Sequence, residues 1–251
     1  MKRTVTFGEI MLRLKTPEHM RILQTDAFEA SYGGAEANVA VSLAVLKDPV
    51  SFVTKLPENP VGTAALNEVR RYGADTSKVV IGGSRLGIYF FEKGTDIRPT
   101  NVVYDREGSA LALAKPEEFH WDEILKDTDI FYFSGVTPAV SENIAKAVLE
   151  ALKYCKAHGI ETVCDLNYRS KMWDTKKAQS VMSELMNYVT LCIANDEDFE
   201  SSLGIHAYDG DISKGIDQIE SYKAGMKEIQ NRYPNCKAVA SVLRNMYTAE
   251  D

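Results

Sequence analysis

The chain has 251 residues, of which 45% are hydrophobic and 26% charged, and its formal net charge is −7. This composition is typical of a globular protein and excludes a disordered chain, and the length suits one α/β domain with a small appendage. The negative charge, with lysines and arginines interleaved among acidic residues, disfavours nucleic-acid binding.

Nothing in the sequence suggests a membrane segment or a targeting signal. There is no run of about 18 apolar residues that could span a bilayer. The N-terminus, MKRTVTFGEIML, lacks a long apolar segment and a small-residue cleavage site. We therefore expect a cytoplasmic protein that does not bind membranes.

The first part of the chain alternates between strand and helix patterns. TVTFGEIMLRL at 4–14 opens as a strand, and a helix is predicted over Ala35–Leu46. A strand follows at Val50–Leu56, and the next helix is entered after Pro60 and ended by Gly73 as its C-cap. This order predicts a parallel sheet covered by helices.

The pattern changes between Ser77 and Ala112. Short runs rich in β-branched and aromatic residues, such as LGIYFFEKG and PTNVVYDREG, are separated there by glycine and proline. Such runs are typical of hairpins and not of crossover units. Together with the irregular segment before Ala35, they predict a small β-rich appendage on the main sheet.

The alternation resumes at Asp129. DIFYFSG is an apolar run of the kind found in strands buried on both faces, and Ser141 and Gly159 are placed to begin and end the following helix. The remaining predicted strands and helices alternate as strand 161–167, helix 176–188, strand 189–195, helix 215–233 and strand 237–245.

Cysteines and histidines give no sign of a metal or nucleophile site. The cysteines have no C-x-x-C spacing, which predicts buried, reduced thiols, and the histidines lie in polar contexts where solvated side chains are expected. The residues are Cys155, Cys164, Cys192, Cys236, His19, His120, His158 and His206. Neither a P-loop nor a G-x-G-x-x-G turn after a strand is present, which disfavours a P-loop enzyme or a dehydrogenase.

Polar residues follow several of the apolar runs. They are Glu9, Ser134–Gly135, Asp165–Arg169 in DLNYR and Asn195–Asp198 in NDED. Ligands of open α/β sheets bind beyond the carboxyl ends of the strands, so these residues are candidates for a site. Singly, each is better explained by a strand-end turn with solvated side chains. Together they carry more weight, because DLNYR combines an acceptor, an amide and a guanidinium that can bind a carboxylate or phosphate.

The stretch SYGGAEANVAVSLAVL places Gly33 and Gly34 at the start of a helix and Asn38 in its first turn. Glycines allow backbone to approach a ligand closely, and a helix N-terminus offers free N–H groups. Asn38 can bind ligand hydroxyl groups. A tight turn followed by an early polar residue is the simpler alternative.

The motifs just described resemble those of the ribokinase-like (PfkB) sugar kinases. The segments SYGGAEANVAVSLAVL, VGTAALNEVRRYGADTS, DLNYRSKMW and NDEDFESSLGI are similar to that family in order, and the likeness runs from Thr4 to the last residue. Within the family, NVVYDREGSALA and FSGVTPAVS resemble the 2-keto-3-deoxygluconate kinases most closely.

The resemblance implies an α/β/α sandwich of three layers with a mostly parallel central sheet, and a β-sheet lid formed from about 11–32 and 85–108. It implies a sugar acid and ATP with Mg²⁺ as the small molecules bound, and a possible homodimer through the lid. The residues that it assigns to substrate binding are Gly33, Gly34, Asn38, Tyr89, Tyr104, Arg106, Asn167 and Arg169.

Two arginines and the NDED motif carry more specific implications. In the resemblance, Arg106 and Arg169 face the carboxylate of an acidic substrate or the phosphates. Asn195 and Asp198 correspond to the family's N-x-x-E motif, which helps to order magnesium and phosphate. Aspartate at position 198 departs from that motif, where glutamate is usual.

The C-terminal part departs from the family pattern. Members of the family carry a later glycine-rich segment of the G-A-G-D type, which supplies an anion hole and the aspartate that acts as catalytic base. This chain ends in ASVLRNMYTAED without such a segment. We therefore expect residues 1–251 to form a C-terminally incomplete domain, with the base beyond the chain end and with very weak or no turnover.

Three functions remain open from the sequence. The leading interpretation is an ATP-dependent kinase that phosphorylates 2-keto-3-deoxygluconate at its terminal hydroxyl. A kinase for a neutral sugar such as fructose or ribose is the alternative within the same class, and Arg106 in YDREGSA argues against it. A sugar-binding or regulatory protein without catalysis on the same scaffold is the third.

Overall fold

The fold is described from a computed structural model, which covers residues 2–206, 216 and 219–243. The strands are β1 (Thr4–Phe7), β2 (Met11–Lys15), β3 (Glu29–Gly33), β4 (Val50–Val53), β5 (Lys55–Leu56), β6 (Val80–Ile81), β7 (Ile88–Glu92), β8 (Asn101–Asp105), β9 (Ile130–Ser134), β10 (Glu161–Asp165), β11 (Leu191–Ile193) and β12 (Ala238–Ala240). The helices are α1 (Ala35–Val45), α2 (Pro60–Arg70), α3 (Trp121–Ile124), α4 (Val136–Ala139), α5 (Glu142–His158), α6 (Thr175–Met186), α7 (Asp196–Leu203) and α8 (Ile219–Arg232).

The central sheet is parallel throughout its described strands. Its order is β12-β11-β10-β9-β1-β4, and every neighbouring pair runs in the same direction. Parallel neighbours need crossover connections, which the helices between the strands supply. The predicted α/β fold with a mostly parallel central sheet is confirmed.

Helices cover both faces of this sheet, as the alternation along β4 shows. Val50 and Phe52 belong to an apolar cluster with residues of α1 and α2, whereas Val53 belongs to a second cluster that includes α5 and α6. Successive side chains of a strand point to opposite faces. The two clusters therefore lie on opposite sides of the sheet, with a layer of helices outside each.

The small sheet is a four-stranded unit of order β3-β2-β7-β8. It consists of two antiparallel hairpins, β2–β3 and β7–β8, joined by parallel pairing of β2 with β7. All four strands come from the two segments for which a β lid was expected, with Gly33 as an addition at the end of β3. A further pair, β5 and β6, forms a separate two-stranded parallel sheet.

Two runs predicted as single strands are each divided between sheets. The chain leaves the central sheet after Phe7 and joins the small sheet at Met11. At Gly8, between the two strands, the side chain of Glu36 fills the space that a Cβ would need. Val50–Leu56 likewise contains β4 in the central sheet and β5 in the two-stranded sheet. Apolar content marks both halves of each run equally, so composition cannot reveal the break.

Helix ends agree with prediction at one helix and not at another. Ser141 is the N-cap of α5, with its Oγ accepting a bond from Ile144 N at 3.3 Å, and Gly159 ends it with a φ of 71°. For α2 the prediction was wrong. Arg71, not Gly73, is the C-cap, and Gly73 (φ 95°) serves the turn that follows.

Side-chain environments bear out two further expectations. All four cysteines are buried and free, and all four histidines are exposed. The run after Asn38 is less buried than its apolar sequence suggested, because Val45 and Leu46 are 55% and 72% exposed. No helix in the part of the chain that the structure describes is long and apolar enough to cross a membrane.

Some predicted segments extend past the described residues. The helix predicted over 215–233 is seen as α8, while residues 215, 217 and 218 lie outside the description. The strand predicted over 237–245 is seen as β12, and positions 244–251, which include most of ASVLRNMYTAED, also lie outside it.

Candidate functional site

A cavity of about 550 Å³ lies between the small sheet and the carboxyl ends of central strands. It brings together all the residues predicted to bind substrate, namely Gly33, Gly34, Asn38, Tyr89, Tyr104, Arg106, Asn167 and Arg169. The rest of its lining was not singled out from the sequence and consists of Met11, Arg13, Ala35, Phe91, Val102, Val136 and Met172.

Gly33 and Gly34 have different reasons to be glycine. A Cβ on Gly33 would be 3.5 Å from Tyr89 Oη and 3.6 Å from Asn38 Oδ1, which are ordinary contacts on the cavity side. A Cβ on Gly34 would overlap the carbonyl oxygen of Glu9 and lie 2.9 Å from its carbonyl carbon. Gly33 therefore fits the predicted close approach to a ligand, whereas Gly34 is required by packing against the backbone of Glu9, just after β1.

Aromatic side chains of the small sheet form the opposite wall. Tyr89 of β7 and Tyr104 of β8 are direct partners in the hairpin register, and their ring centroids are 6.0 Å apart. Burial raises the pKa of Tyr89, with the charge of Arg13 acting in the opposite direction. The phenol groups of both tyrosines can donate hydrogen bonds to a polar ligand or accept them from it.

Arg106 is held by a buried network at the start of the cavity wall. Its Nη2 is ion-paired with Glu9 Oε2, and Glu9 Oε1 accepts a 2.5 Å bond from Ser109 Oγ. The side chains of Arg106 and Glu9 are only 12% and 4% exposed. Its Nη1 lies 3.2 Å from Met172 Sδ. The charge of Arg106, which the family resemblance directs at a substrate carboxylate or the phosphates, is thus already balanced within the protein.

The DLNYR segment forms the floor of the cavity just after β10. Asn167 has a φ of 39°, the left-handed region that few residues other than glycine adopt. Such strain is typical of functional sites, where surrounding structure holds it. Arg169 Nη1 donates to the carbonyl oxygen of Tyr168 at 2.7 Å, and Arg169 makes no ion pair in the described part of the chain.

Asp165, the last residue of β10, has an unusually high pKa for an aspartate. Burial, then the charges of Asp198 and Glu36, raises the pKa of Asp165 to about 6, against an ordinary value of 3.8. Arg169 and the backbone amide of Asn167 act in the opposite direction. The carboxyl group therefore changes charge in a pH range where most aspartates are fully ionised.

This raised pKa predicts a stability that falls as pH rises. The pKa of Asp165 in the folded state lies above that of an unfolded aspartate. The stability that protonated Asp165 contributes to the fold is therefore fully present below about pH 4, and it is lost as the pH rises from there through about 6. At pH 8 we expect Asp165→Asn to exceed the wild type in unfolding free energy by about 2 kcal/mol. Urea unfolding between pH 4 and 8 measures this, with the exposed Asp122→Asn as control. A wild type that is the more stable protein at pH 8 would contradict it.

Asn195 and Asp198 do not line the cavity. They form the capping box of α7, in which Asn195 Oδ1 accepts from Asp198 N and Asp198 Oδ2 accepts from Asn195 N, each at 3.0 Å. Asp198 Oδ1 also accepts from Tyr168 N at 2.7 Å, which anchors the residue beside Arg169. The role of Asn195 and Asp198 in a magnesium and phosphate network stays a prediction. The observed geometry is that of a helix cap.

Glu36 is a buried residue next to the site. It was not singled out as a candidate from the sequence. It is 1% exposed, and its Oε1 accepts bonds from Ser134 N at 3.0 Å and Thr137 Oγ1 at 2.9 Å. Burial raises the pKa of Glu36 despite these bonds. The side chain thus ties the start of α1 to the end of β9. Its signal in the sequence was a lone acid in an apolar helix.

A parallel sheet with helices on both faces, and a polar cavity beyond its strand ends, is the arrangement in which α/β proteins bind small ligands. The family model for pfkB family carbohydrate kinases matches residues 1–234. The chain therefore belongs to the pfkB family of carbohydrate kinases, and the family resemblance read from the sequence is confirmed.

Several relatives of this chain are named as kinases. The 2-dehydro-3-deoxygalactonokinase of Haloferax volcanii is 38% identical over 207 residues, covering 82% of this chain and 64% of that protein. The 5-dehydro-2-deoxygluconokinase of Shouchella clausii is 28% identical and is covered to 63%. The crystal structure of 2-dehydro-3-deoxygluconokinase from Thermotoga maritima superposes with a TM-score of 0.92 at 45% identity, over 99% of this chain and 73% of that one. The chain spans less than two thirds of the two curated relatives.

Proposed function

We propose that the chain provides the sugar-acid site of an ATP-dependent kinase acting on 2-keto-3-deoxygluconate or its close epimer. The observation that carries this proposal is the charge balance of the cavity. Three guanidinium groups, those of Arg13, Arg106 and Arg169, line it. Of these, Arg106 is paired with Glu9, which leaves positive charge for an anionic ligand. A neutral sugar would leave that charge uncompensated in a small cavity, which is unfavourable.

The lining residues suit the other groups of such a ligand. Asn38, Asn167 and the tyrosine hydroxyls offer hydrogen bonds to sugar hydroxyl and keto groups, and Phe91 and Val102 supply apolar walls. In the proposed reaction the terminal hydroxyl oxygen attacks the γ-phosphorus of ATP, its proton passes to a base, and ADP leaves. Positioning of the hydroxyl is the contribution that these residues make.

ATP with Mg²⁺ as phosphoryl donor is proposed from family membership. Within the described ranges, no group of three or more His, Cys, Asp or Glu side chains is placed to hold a metal ion. Asn195 and Asp198 are bonded to backbone amides. These residues therefore do not form a ready magnesium site. A homodimer through the small sheet and a cytoplasmic location likewise remain predictions.

Calorimetric titration without ATP tests the proposal on the cavity alone. We expect 2-keto-3-deoxygluconate to bind and fructose and ribose to bind at least tenfold more weakly. Arg169→Gln should raise the dissociation constant for the keto acid by roughly 10- to 100-fold, because a charge-assisted hydrogen bond is lost. Arg169 is preferred to Arg106 as the test, since removing Arg106 would leave Glu9 buried and unpaired.

The control is Arg71→Gln, which removes an exposed guanidinium on the far end of α2. Tighter binding of fructose or ribose than of the keto acid would favour the neutral-sugar kinase. Keto-acid binding by a longer form of the protein that still shows no phosphoryl transfer would favour a binding protein on the kinase scaffold.

A further inference from the structure

Arg13 is a cation of the cavity that the sequence did not single out. It lies in the middle of β2, opposite Tyr89 of β7 and Ser31 of β3. In the alternating pattern MLRLK it has the position of a solvent-facing strand residue. The small sheet, however, presents this face to the central sheet, and Arg13 lines the cavity.

The guanidinium of Arg13 is fixed in place without being neutralised. Its Cζ lies 4.0 Å from the ring centroid of Phe91, a stacked cation–π contact. Its Nε is buried and has no hydrogen-bond partner among the residues that the structure describes, nor does Arg13 form an ion pair there. A buried donor without a partner is unfavourable, and stacking satisfies none of the N–H groups at the edge of the guanidinium.

The other two arginines of the cavity are engaged differently. Arg106 gives its Nη2 to the Glu9 carboxylate, and Arg169 gives its Nη1 to a backbone carbonyl. The carboxylate of Glu9 and the guanidinium of Arg106 compensate each other. Arg13 is therefore a source of positive charge in the cavity that no carboxylate of the described residues offsets.

We infer that Arg13 binds the carboxylate of the acidic substrate and is a specificity-determining residue of this site. The inference rests on the proposed function, because it needs an anionic ligand in the cavity. A planar carboxylate can accept bonds from two N–H groups of a guanidinium held edge-on by stacking. This contact uses the Nη donors at the edge of the guanidinium, for which the described residues supply no hydrogen-bond partner. It also makes Arg13 a recognition group beyond the arginines that the sequence identified.

A thermodynamic cycle between the side chain and the ligand charge tests this role. Dissociation constants are measured by calorimetry for 2-keto-3-deoxygluconate and for its neutral C1 carboxamide, with the wild type and Arg13→Met. We expect Arg13→Met to weaken binding of the acid by roughly 10- to 100-fold and binding of the amide by less than about threefold. Arg13→Lys, which keeps the charge but not the planar fork, should fall between them.

Arg21→Met is the matched control, since it removes an exposed guanidinium from the same segment of chain. Equal weakening of acid and amide would overturn the inference and assign Arg13 to packing of the small sheet. Failure of the wild type to bind the acid would overturn the proposed function itself. The experiment therefore distinguishes a failure of the proposed function from a failure of the inference about Arg13. Should Arg13→Met not fold, Arg13→Lys carries the cycle, and unchanged acid-to-amide selectivity in it would contradict the role of the guanidinium.

Discussion

Replacing Gly34 with alanine is expected to lower the free energy of unfolding by about 3 kcal/mol and to abolish sugar-acid binding. The new Cβ would overlap the backbone carbonyl of Glu9, and backbone cannot move aside as a flexible side chain can. Relief requires separating the start of α1 from the segment that follows β1, which displaces Gly33 and Asn38 from the cavity. Urea unfolding and calorimetry measure the two effects.

The neighbouring glycine provides the matched control. Gly33→Ala places its Cβ at van der Waals distance from Tyr89 and Asn38, so its cost in unfolding free energy should stay within about 1 kcal/mol. It should nevertheless weaken binding of the ligand, because the added methyl group occupies space in the cavity. Equal destabilisation by the two substitutions would show that the helix start has no close contact with Glu9.

Replacing Glu9 with alanine is expected to lower the unfolding free energy by about 3–5 kcal/mol. The substitution leaves the guanidinium of Arg106 without its carboxylate and Ser109 Oγ without its acceptor, in a region shielded from water. Because Arg106 lines the cavity, the keto acid should also bind with altered affinity. Chemical denaturation of the two proteins side by side gives the stability difference.

A double-mutant cycle decides whether the pair is the cause. Glu9→Ala combined with Arg106→Ala should cost less than the sum of the single changes, by at least about 1 kcal/mol. The exposed Glu58→Ala should change stability by no more than about 0.5 kcal/mol. Additive effects of the Glu9 and Arg106 substitutions would mean that the ion pair does not couple them.

The sequence predicts those features of the fold that local chemistry determines. Ser141 and Gly159 mark the ends of α5 because capping depends on a few neighbouring atoms. Asn167 and Arg169, which follow a predicted strand, meet the glycine pair at one cavity because ligands of such sheets bind beyond the carboxyl ends of the strands. Family resemblance added Tyr89 and Tyr104, which no local rule would have selected from a β-rich run.

What the sequence could not reveal depends on contacts between distant segments. Arg13 looks like a surface residue of a strand until the small sheet is placed over the central sheet. Glu9 could be marked as a strand-end acid, but its pairing with Arg106 joins residues 97 positions apart. Asp198 corresponds in the family resemblance to a motif that helps to order magnesium and phosphate, whereas in the structure its carboxylate accepts hydrogen bonds from the backbone amides of Tyr168 and Asn195.

The parallel pairing of β2 with β7 has a consequence for how the protein acquires its site. Leu12 lies opposite Ile88, and the chain between them includes α1, β4 and α2. Closing so long a loop costs entropy before any contact between the strands repays it, so such pairing forms slowly. The wall that carries Arg13 and Tyr89 is therefore complete only in the fully assembled molecule. A ligand that needs this wall therefore stabilises the whole fold, by an amount that grows with the ligand concentration relative to the dissociation constant.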